Sequence, residues 1–273
     1  MKYIDIDVKN KDSLEYVNCK VMFIDYSEGV HINERPIVII CPGGGYGHLS
    51  DREADFIAFQ FLAAGYHAAV LRYSVSPATY PTQVLELAKA VKIVRENAKD
   101  WHVIEDKIAV MGFSAGGHLA GSFAELWEEN FICEALGTDK EMLRPNGLIL
   151  GYPVISAGQY AHQGSFNNLL GNKNKYEDDL LRQKLSLENN VTKSVPRTFI
   201  WGTYEDETVP VMNSILFAKA LSENGIKVEY HLFEKGVHGT ALSNEITCSK
   251  KCVENFPDNN CWVTMCMNWM KNL

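Results

Sequence analysis

The chain has 273 residues, of which 46% are hydrophobic and 22% are charged. A chain of this length can bury a large core, and its composition is that of a globular protein rather than a disordered one. The formal net charge of −8 at pH 7 predicts an acidic surface that repels phosphate backbones and anionic lipids. Nucleic-acid and membrane partners are therefore not expected.

Targeting signals and metal ligands are not expected either. Residues 1–7 contain no apolar segment typical of a signal peptide, and no apolar run is long enough to cross a bilayer. The seven cysteines are irregularly spaced, which predicts free thiols in a reducing cytoplasm. A zinc cluster is the alternative, but the late cysteines have wide spacings and no C-x-x-C pair, so no metal is predicted. Those late cysteines are Cys248, Cys252, Cys261 and Cys266.

Short apolar runs predict the strands. Most are continuous rather than alternating, which is typical of strands buried on both faces of a mostly parallel sheet. The first of them is expected to be antiparallel to the rest. The predicted strands are residues 19–26, 36–41, 67–73, 107–112, 147–152, 198–201 and 228–233.

Amphipathic segments between these runs predict helices. Ser50 and Asp51 are expected to cap a helix that runs to Phe61, and Pro81 is expected to open the next. Further helices are predicted after Ser114 and over residues 211–223 and 260–270. The alternation of strand and helix predicts an α/β protein with about eight strands and helices on both faces of the sheet.

One segment interrupts this alternation. Residues 156–196 are rich in Asn, Lys, Asp and Glu, and long inserts in compact domains often form lids or binding loops. We expect this insert to lie near the functional site. No change of composition marks a boundary, so the prediction is one domain over residues 1–273.

The sharpest motif is Gly112-Phe113-Ser114-Ala115-Gly116. This G-x-S-x-G sequence follows a predicted buried strand and precedes a predicted helix, which is the context of a nucleophile elbow. Gly112 and Gly116 leave room for strand and helix to approach, and the start of the helix directs free N–H groups at the serine. An ordinary glycine-rich turn is the alternative.

A run of three glycines follows the predicted strand 36–41. Uncovered amides of this kind can stabilise an oxyanion, as the HGGG motif does in many esterases, although Pro42 replaces the histidine here. We expect the amides of Gly44, Gly45 and Ala115 to be the donors. The run could instead bind phosphate, but it lacks G-x-x-x-x-G-K-[ST], so no nucleotide cofactor is predicted.

Asp206 and His238 complete the expected constellation. Each lies on a loop after a predicted strand, and the order Ser114, Asp206, His238 is that of the serine, acid and base in α/β-hydrolases. In this arrangement His238 takes the serine proton and Asp206 holds the imidazole in the correct tautomer. Glu205 and Glu207 are the rival acids.

Seven other histidines are rival bases. His118 is expected to be a hydrogen-bonded core residue, and His48 is a candidate for the pocket lining. His67 and His231 fall inside predicted strands. His238 is favoured because a loop histidine close to two glycines has no packing role. The remaining three, His31, His102 and His162, lie in polar surroundings.

These motifs resemble those of bacterial α/β-hydrolases of the esterase/lipase group, near the acetyl-xylan and feruloyl-esterase-like sugar esterases. The resemblance covers about residues 36–240, and the Pro-Gly-Gly-Gly-Tyr form is typical of this subgroup. The Asp-x-x-Val-Pro match selects Asp206 as the acid. The resemblance implies hydrolysis of a small carboxylic ester, such as a sugar acetate, through an acyl-enzyme without cofactor or metal. The matching stretches are residues 42–46, 112–120, 206–210 and 236–239.

Three other functions share these motifs. A serine exopeptidase uses the same triad order, but it usually carries a gating domain for which this chain has no room. An acyltransferase replaces water by an alcohol, and a ligand-binding protein on this scaffold typically lacks a triad member. The roles of two sets of residues stay open. The first set either forms pocket walls or packs in the ordinary way, and it consists of Tyr152, Tyr160 and Phe166. The second set forms either a homo-oligomer interface or part of the core, and it consists of Trp262, Met265 and Trp269.

Overall fold

The computed structural model describes residues 2–171, 175–249 and 256–273. Within this part of the chain, eight strands form one sheet. The strands are β1 (Lys2–Ile6), β2 (Asn18–Phe23), β3 (Arg35–Cys41), β4 (His67–Arg72), β5 (Val103–Phe113), β6 (Gly147–Gly151), β7 (Thr198–Thr203) and β8 (Val228–Phe233). The helices are α1 (Asp55–Ala63), α2 (Thr82–Glu96), α3 (Ala115–Leu126), α4 (Asn130–Leu136), α5 (Gln163–Leu170), α6 (Lys175–Lys184), α7 (Met212–Glu223) and α8 (Trp262–Met270).

The strand order in the sheet is β1-β2-β4-β3-β5-β6-β7-β8. β2 pairs antiparallel with both β1 and β4, and the remaining neighbours are parallel. The predicted mostly parallel sheet is therefore confirmed, as is the antiparallel strand near residue 19. β1 is not among the predicted strands. It lies at the edge and only its alternate residues are half-buried, so it has no continuous apolar run.

The central strands are apolar on both faces because both faces are covered by helices. In β3, Ile37 and Ile39 pack into one apolar cluster, whereas Val38 and Ile40 pack into a second cluster on the opposite face. This alternation follows from the two-residue period of a strand. Buried side chains of α2, α3 and α7 belong to the first cluster, and those of α1 and α8 belong to the second.

One helix prediction and one interpretation of the C-terminal residues need correction. Ser50 makes no side-chain cap, and α1 begins at Asp55 after a separate 3-10 turn, Asp51–Glu53. In this turn, the side chain of Glu53 accepts a hydrogen bond from the amide of Gly43. Near the C-terminus, Trp262 and Trp269 are buried within this chain, so core packing accounts for them and the interface interpretation is wrong for both.

The carboxyl ends of four strands bring the predicted site residues to one edge of the sheet. The glycine run follows β3, Ser114 follows β5, Asp206 follows β7 and His238 follows β8. In open α/β sheets this edge is where ligands bind. Residues 156–196 connect β6 to β7 and contain α5 and α6. None of the helices in the described ranges is both long and apolar enough to span a membrane.

Candidate active site

Ser114, His238 and Asp206 are joined by a continuous chain of hydrogen bonds. The Oγ of Ser114 lies 2.7 Å from Nε2 of His238, and Nδ1 of His238 lies 2.6 Å from Oδ2 of Asp206. The carboxylate is almost fully buried, with 2% of its side chain exposed, whereas 17% of the His238 side chain remains accessible. The structure therefore brings together the three side chains that the sequence predicts, and leaves the imidazole reachable from the cleft.

Ser114 occupies a strained turn between β5 and α3. Its backbone angles are φ 53° and ψ −122°, a region that residues with a side chain seldom adopt. A side chain at Gly112 would collide with the carbonyl of Gly116, and one at Gly116 would collide with the carbonyl of Cys41. The two glycines thus permit the close strand–helix approach that holds the serine at the tip of the turn.

The carboxylate of Asp206 is oriented by its own loop. Its Oδ1 atom accepts hydrogen bonds from the amides of Thr208 at 3.0 Å and Val209 at 2.9 Å. Oδ2 is left for His238. The rival acids do not have this position, because Glu205 and Glu207 are both exposed.

The glycine loop, which contains Gly44 and Gly45, lines the same cleft. Gly44 and Gly45 have φ angles of 127° and 63°, which favour glycine. Along with Ser114 and His238, both line the cleft, and Ala115 is the first residue of α3. Within the described residues, the amides of Gly44, Gly45 and Ala115 have no hydrogen-bond acceptor.

The cleft has a volume of about 430 Å³. Every residue of its described lining is either a glycine or polar, and His48 is among them, as predicted. The insert contributes His162, Gly164 and Asn168 to this lining. The polar side chains are those of His48, Ser50, Arg52, Glu53, Ser114, His162, Asn168, Thr208 and His238.

Comparison with known families agrees with this geometry. The profile of the BD-FAE family matches residues 26–221, which is well over half of the chain. The chain belongs to the BD-FAE family.

Two curated proteins similar to this BD-FAE chain have names that refer to xylan. An endo-1,4-beta-xylanase B of Butyrivibrio fibrisolvens is 36% identical over 216 residues, covering 78% of this chain and 33% of the relative. An acetylxylan esterase of Xylanibacter ruminicola is 31% identical over 206 residues, covering 74% of this chain and 40% of the relative. The chain therefore spans less than half the length of these curated relatives.

Solved structures similar to this chain cover it fully. An acetyl ester-xyloside bifunctional hydrolase from Caldicellulosiruptor lactoaceticus superimposes with a TM-score of 0.80 at 31% identity, covering 98% of this chain and 96% of that chain. A carboxylesterase from Lactobacillus plantarum superimposes with a TM-score of 0.84 at 26% identity, covering 100% and 98%. The BD-FAE chain therefore has the α/β-hydrolase fold that the sequence predicts.

Glu53 is a site residue of this BD-FAE chain that the sequence analysis missed. It is 2% exposed, and its carboxylate accepts hydrogen bonds from the amide of Gly43 at 2.8 Å and the hydroxyl of Tyr152 at 2.7 Å. In the sequence, Glu53 is indistinguishable from an acidic residue in the first turn of a helix, since its partner Tyr152 is 99 positions away.

His118 lies behind the glycine loop rather than in the cleft. It is buried, its Nδ1 lies 3.0 Å from the hydroxyl of Tyr46, and its Nε2 lies 2.8 Å from the carbonyl oxygen of Leu185. Because a carbonyl only accepts, Nε2 donates to Leu185 and Nδ1 accepts from Tyr46. Burial lowers the pKa of His118 to about 4. The predicted core role is confirmed.

His162 covers the glycine loop from the insert. It precedes α5, and its Nδ1 accepts a hydrogen bond from the amide of Ser165 at 3.3 Å. Its Cε1 lies 3.8 Å from the position that a Cβ at Gly45 would occupy. Burial and, secondarily, the charge of His238 lower the pKa of His162. Asn168, six residues after His162, donates to the carbonyl of Gly45 at 2.8 Å.

The other sequence candidates lie outside the cleft. Tyr152 and Phe166 are buried, and neither they nor Tyr160 contribute to the described lining.

Of the late cysteines, Cys252 lies outside the described residues. Among the residues that the structure describes, no group of three or more His, Cys, Asp or Glu side chains is arranged to bind a metal ion.

Proposed function

We propose that this chain hydrolyses small carboxylic esters through an acyl-enzyme on Ser114, and that acetylated sugars are its substrate class. The observation that carries the proposal is the hydrogen-bond chain from Ser114 through His238 to Asp206. The Ser114 end of this chain lies beside three backbone amides that have no acceptor within the described residues. Such a chain activates a hydroxyl, and such amides stabilise an oxyanion.

The reaction proceeds in two halves. The Oγ of Ser114 attacks the acyl carbon while Nε2 of His238 takes its proton, and the amides of Gly44, Gly45 and Ala115 hold the negative oxygen. His238 then returns the proton to the departing alcohol, which leaves the acyl group on Ser114. Water attacks this ester while His238 takes a proton from it, and His238 then gives this proton to the Oγ of Ser114 as the tetrahedral intermediate collapses, which releases the acid and restores the serine.

The lining of the cleft supports a sugar as the alcohol. Its side chains are donors and acceptors, such as His48, His162, Asn168 and Thr208, and each described lining side chain carries a polar group. Long acyl chains are usually bound by hydrocarbon side chains, and the described lining contains none of these. Relatives named an acetylxylan esterase and an acetyl ester-xyloside hydrolase support the same class.

The lining also argues against an exopeptidase. Its one carboxylate besides the triad, among the described residues, belongs to Glu53, and both oxygens of Glu53 already accept hydrogen bonds. A free amino terminus needs an acidic anchor, which this arrangement does not provide.

Product release tests the proposal. We expect purified protein to release acetate from acetylated xylo-oligosaccharides and from p-nitrophenyl acetate, and to act poorly on p-nitrophenyl octanoate. The Ser114→Ala variant is expected to lose about 10³-fold or more in kcat. Undiminished activity in this variant, or faster cleavage of the octanoate or of an aminoacyl p-nitroanilide, would contradict the proposal. Adding free xylose distinguishes hydrolysis from acyl transfer, because transfer returns the acetyl group to the sugar.

A further inference from the structure

The buried carboxylate of Glu53 joins two loops that the triad by itself does not connect. Its Oε2 accepts from the amide of Gly43 and its Oε1 from the hydroxyl of Tyr152. Removing a carboxylate from water costs free energy unless hydrogen bonds replace the lost hydration. Both bonds are therefore needed at this site, and each carboxylate oxygen has a defined partner.

Gly43 is the point where Glu53 contacts the glycine loop. It directly precedes Gly44, and a side chain at Gly43 would come within 2.9 Å of the Cβ of Ser114 and 2.7 Å of Oε2 of Glu53. The peptide at Gly43 is thus held between the nucleophile and the carboxylate. Because Gly44 and Gly45 follow along the chain, the position of their amides depends on this contact.

Tyr152 carries the contact to the loop that bears the base. Its hydroxyl accepts a hydrogen bond from the amide of Ala241 at 3.1 Å, and Ala241 is three residues after His238. The ring of Tyr152 packs edge-on against the imidazole of His238, with 5.1 Å between centroids. Burial, and then the charge of Glu53, raise the pKa of Tyr152 well above its usual value, so the hydroxyl stays protonated and can donate to Glu53.

We propose that Glu53 is a positioning residue for the hydrolysis, holding the oxyanion amides and the imidazole of His238 at a fixed separation through Gly43 and Tyr152. The proposal rests on the ester hydrolysis proposed above. The adjacent residue supports the same geometry, since Nη1 of Arg52 donates to the carbonyl oxygens of Gly239 at 2.6 Å and Thr247 at 3.1 Å. The turn Asp51–Glu53 is therefore attached to the base loop and to the glycine loop.

Glu53→Gln separates this role from simple packing. Glutamine has the same size but only one acceptor oxygen, so it cannot accept from both Gly43 and Tyr152 on separate oxygens. We expect kcat on p-nitrophenyl acetate to fall about 10- to 100-fold, because small misplacements of reacting groups cost rate, while KM stays within about threefold. Asp51→Asn is the matched control. It removes a carboxylate from the same turn, but one that is 78% exposed and pairs with Arg72 on the surface, so we expect less than about a twofold change.

A double-mutant cycle checks that Glu53 acts through Tyr152. Tyr152→Phe keeps the ring but removes the hydroxyl, and we expect a fall in kcat similar to that of Glu53→Gln. If the two residues act as one unit, the double variant loses no more than the worse single variant. Independent, multiplicative losses would overturn the proposal. Tyr152→Phe also provides the test should Glu53→Gln fail to fold.

Labelling with an alkyl fluorophosphonate separates failure of this inference from failure of the proposed function. In this step the Oγ of Ser114 displaces fluoride from phosphorus, and the serine proton passes to His238. We expect intact-mass analysis to show rapid labelling of the wild type and labelling of Glu53→Gln about tenfold slower or more. Equal labelling rates, with kcat within about threefold of wild type, would overturn the role of Glu53. Rapid labelling of a wild type that hydrolyses no ester would instead overturn the proposed function.

Discussion

Asp206 binds His238 with only one of its two carboxylate oxygens. Oδ2 lies 2.6 Å from Nδ1 of His238, whereas Oδ1 accepts the amides of Thr208 and Val209. The two oxygens are therefore not interchangeable. This asymmetry determines how an amide would sit at the position.

Asp206→Asn is expected to reverse the tautomer of the base. The asparagine oxygen will stay with the two backbone amides, which directs its NH₂ group at Nδ1 of His238 and makes Nδ1 an acceptor. The proton then lies on Nε2, facing Ser114, and the imidazole cannot take the serine proton. We expect kcat on p-nitrophenyl acetate to fall about 10⁴-fold, as such a change does in other serine hydrolases.

Glu207→Gln is the control for that prediction. Glu207 is a sequence rival for the acid, and its side chain is exposed. We expect its kcat to remain within about twofold of wild type. Full activity in Asp206→Asn, or a large loss in Glu207→Gln, would reassign the acid.

Gly116→Ala tests the close approach of α3 to the glycine loop. Alanine normally stabilises a helix by about 1 kcal/mol relative to glycine. Here the added Cβ would collide with the carbonyl oxygens of Cys41 and Pro42, which are backbone atoms and cannot rotate away. We expect the clash to outweigh the propensity gain and to lower the free energy of unfolding by about 3 kcal/mol or more in urea.

Gly29→Ala is the matched substitution for this comparison. A Cβ at Gly29 would meet only the Oγ of Ser27, at 3.8 Å. We expect a change within about 0.5 kcal/mol. If Gly116→Ala is as stable as wild type, strand and helix are further apart than the structure indicates.

His162→Phe tests whether the insert recognises the alcohol. Because Nδ1 of His162 accepts the amide of Ser165 and its lowered pKa keeps the ring neutral, the proton lies on Nε2. Nε2 has no hydrogen-bond partner among the described residues and is available to a sugar hydroxyl. We expect KM for an acetylated xyloside to rise about three- to tenfold, since one neutral hydrogen bond is lost.

Two comparisons sharpen the His162 experiment. The KM for p-nitrophenyl acetate should not change, because its leaving group has no sugar hydroxyls. His162→Gln keeps an N–H donor and should retain most of the xyloside affinity. An equal rise of KM on both substrates would mean that His162 shapes the glycine loop instead of binding the sugar.

Acid is expected to destabilise the fold through His118. Its pKa is lowered from 6.5 to about 4 by burial, so above pH 6.5 the group is neutral in both the folded and the unfolded state and has no effect. As the pH falls from 6.5 towards 4, the unfolded chain takes up the proton and the folded chain does not. The free energy of unfolding should therefore decrease by up to about 3 kcal/mol from this residue.

Urea unfolding at several pH values measures this effect. We expect wild type to lose more stability between pH 7 and pH 4.5 than His118→Gln does, although the variant is less stable at pH 7. The glutamine has no titratable proton, so its share of the pH dependence disappears. Parallel pH profiles for the two proteins would show that His118 titrates normally in the fold.

The strands and the nucleophile turn follow from local sequence. Residues 37–40 are apolar at every position because helices cover both faces of the sheet. Such a continuous apolar run can be recognised in the sequence alone. The motif around Ser114 is local for the same kind of reason, since only glycines at positions 112 and 116 fit the close approach. The fold class and the positions of Asp206 and His238 could therefore be predicted.

The predictions that failed concern residues whose role depends on distant partners. β1 is a half-exposed strand at the edge of the sheet. Such a strand needs apolar residues on one face only, so it has no continuous apolar run. The sequence predicts Ser50 as a helix cap, because the hydrogen bond between Gly43 and Glu53 cannot be seen in the sequence. The sequence places His162 only in polar surroundings, because nothing local indicates that the start of α5 lies over Gly45.

The sequence by itself determined an α/β protein with a serine elbow, a glycine loop, an acid and a base in a recognisable order. Only the tertiary structure decided that Glu53 lies between Gly43 and Tyr152, and that each oxygen of Asp206 has its own partner. The physical reason is range. Backbone sterics and strand periodicity act over a few residues, whereas the hydrogen bonds of Glu53 and His118 join positions 99 and 72 residues apart, and these meet only once the order of strands in the sheet is established.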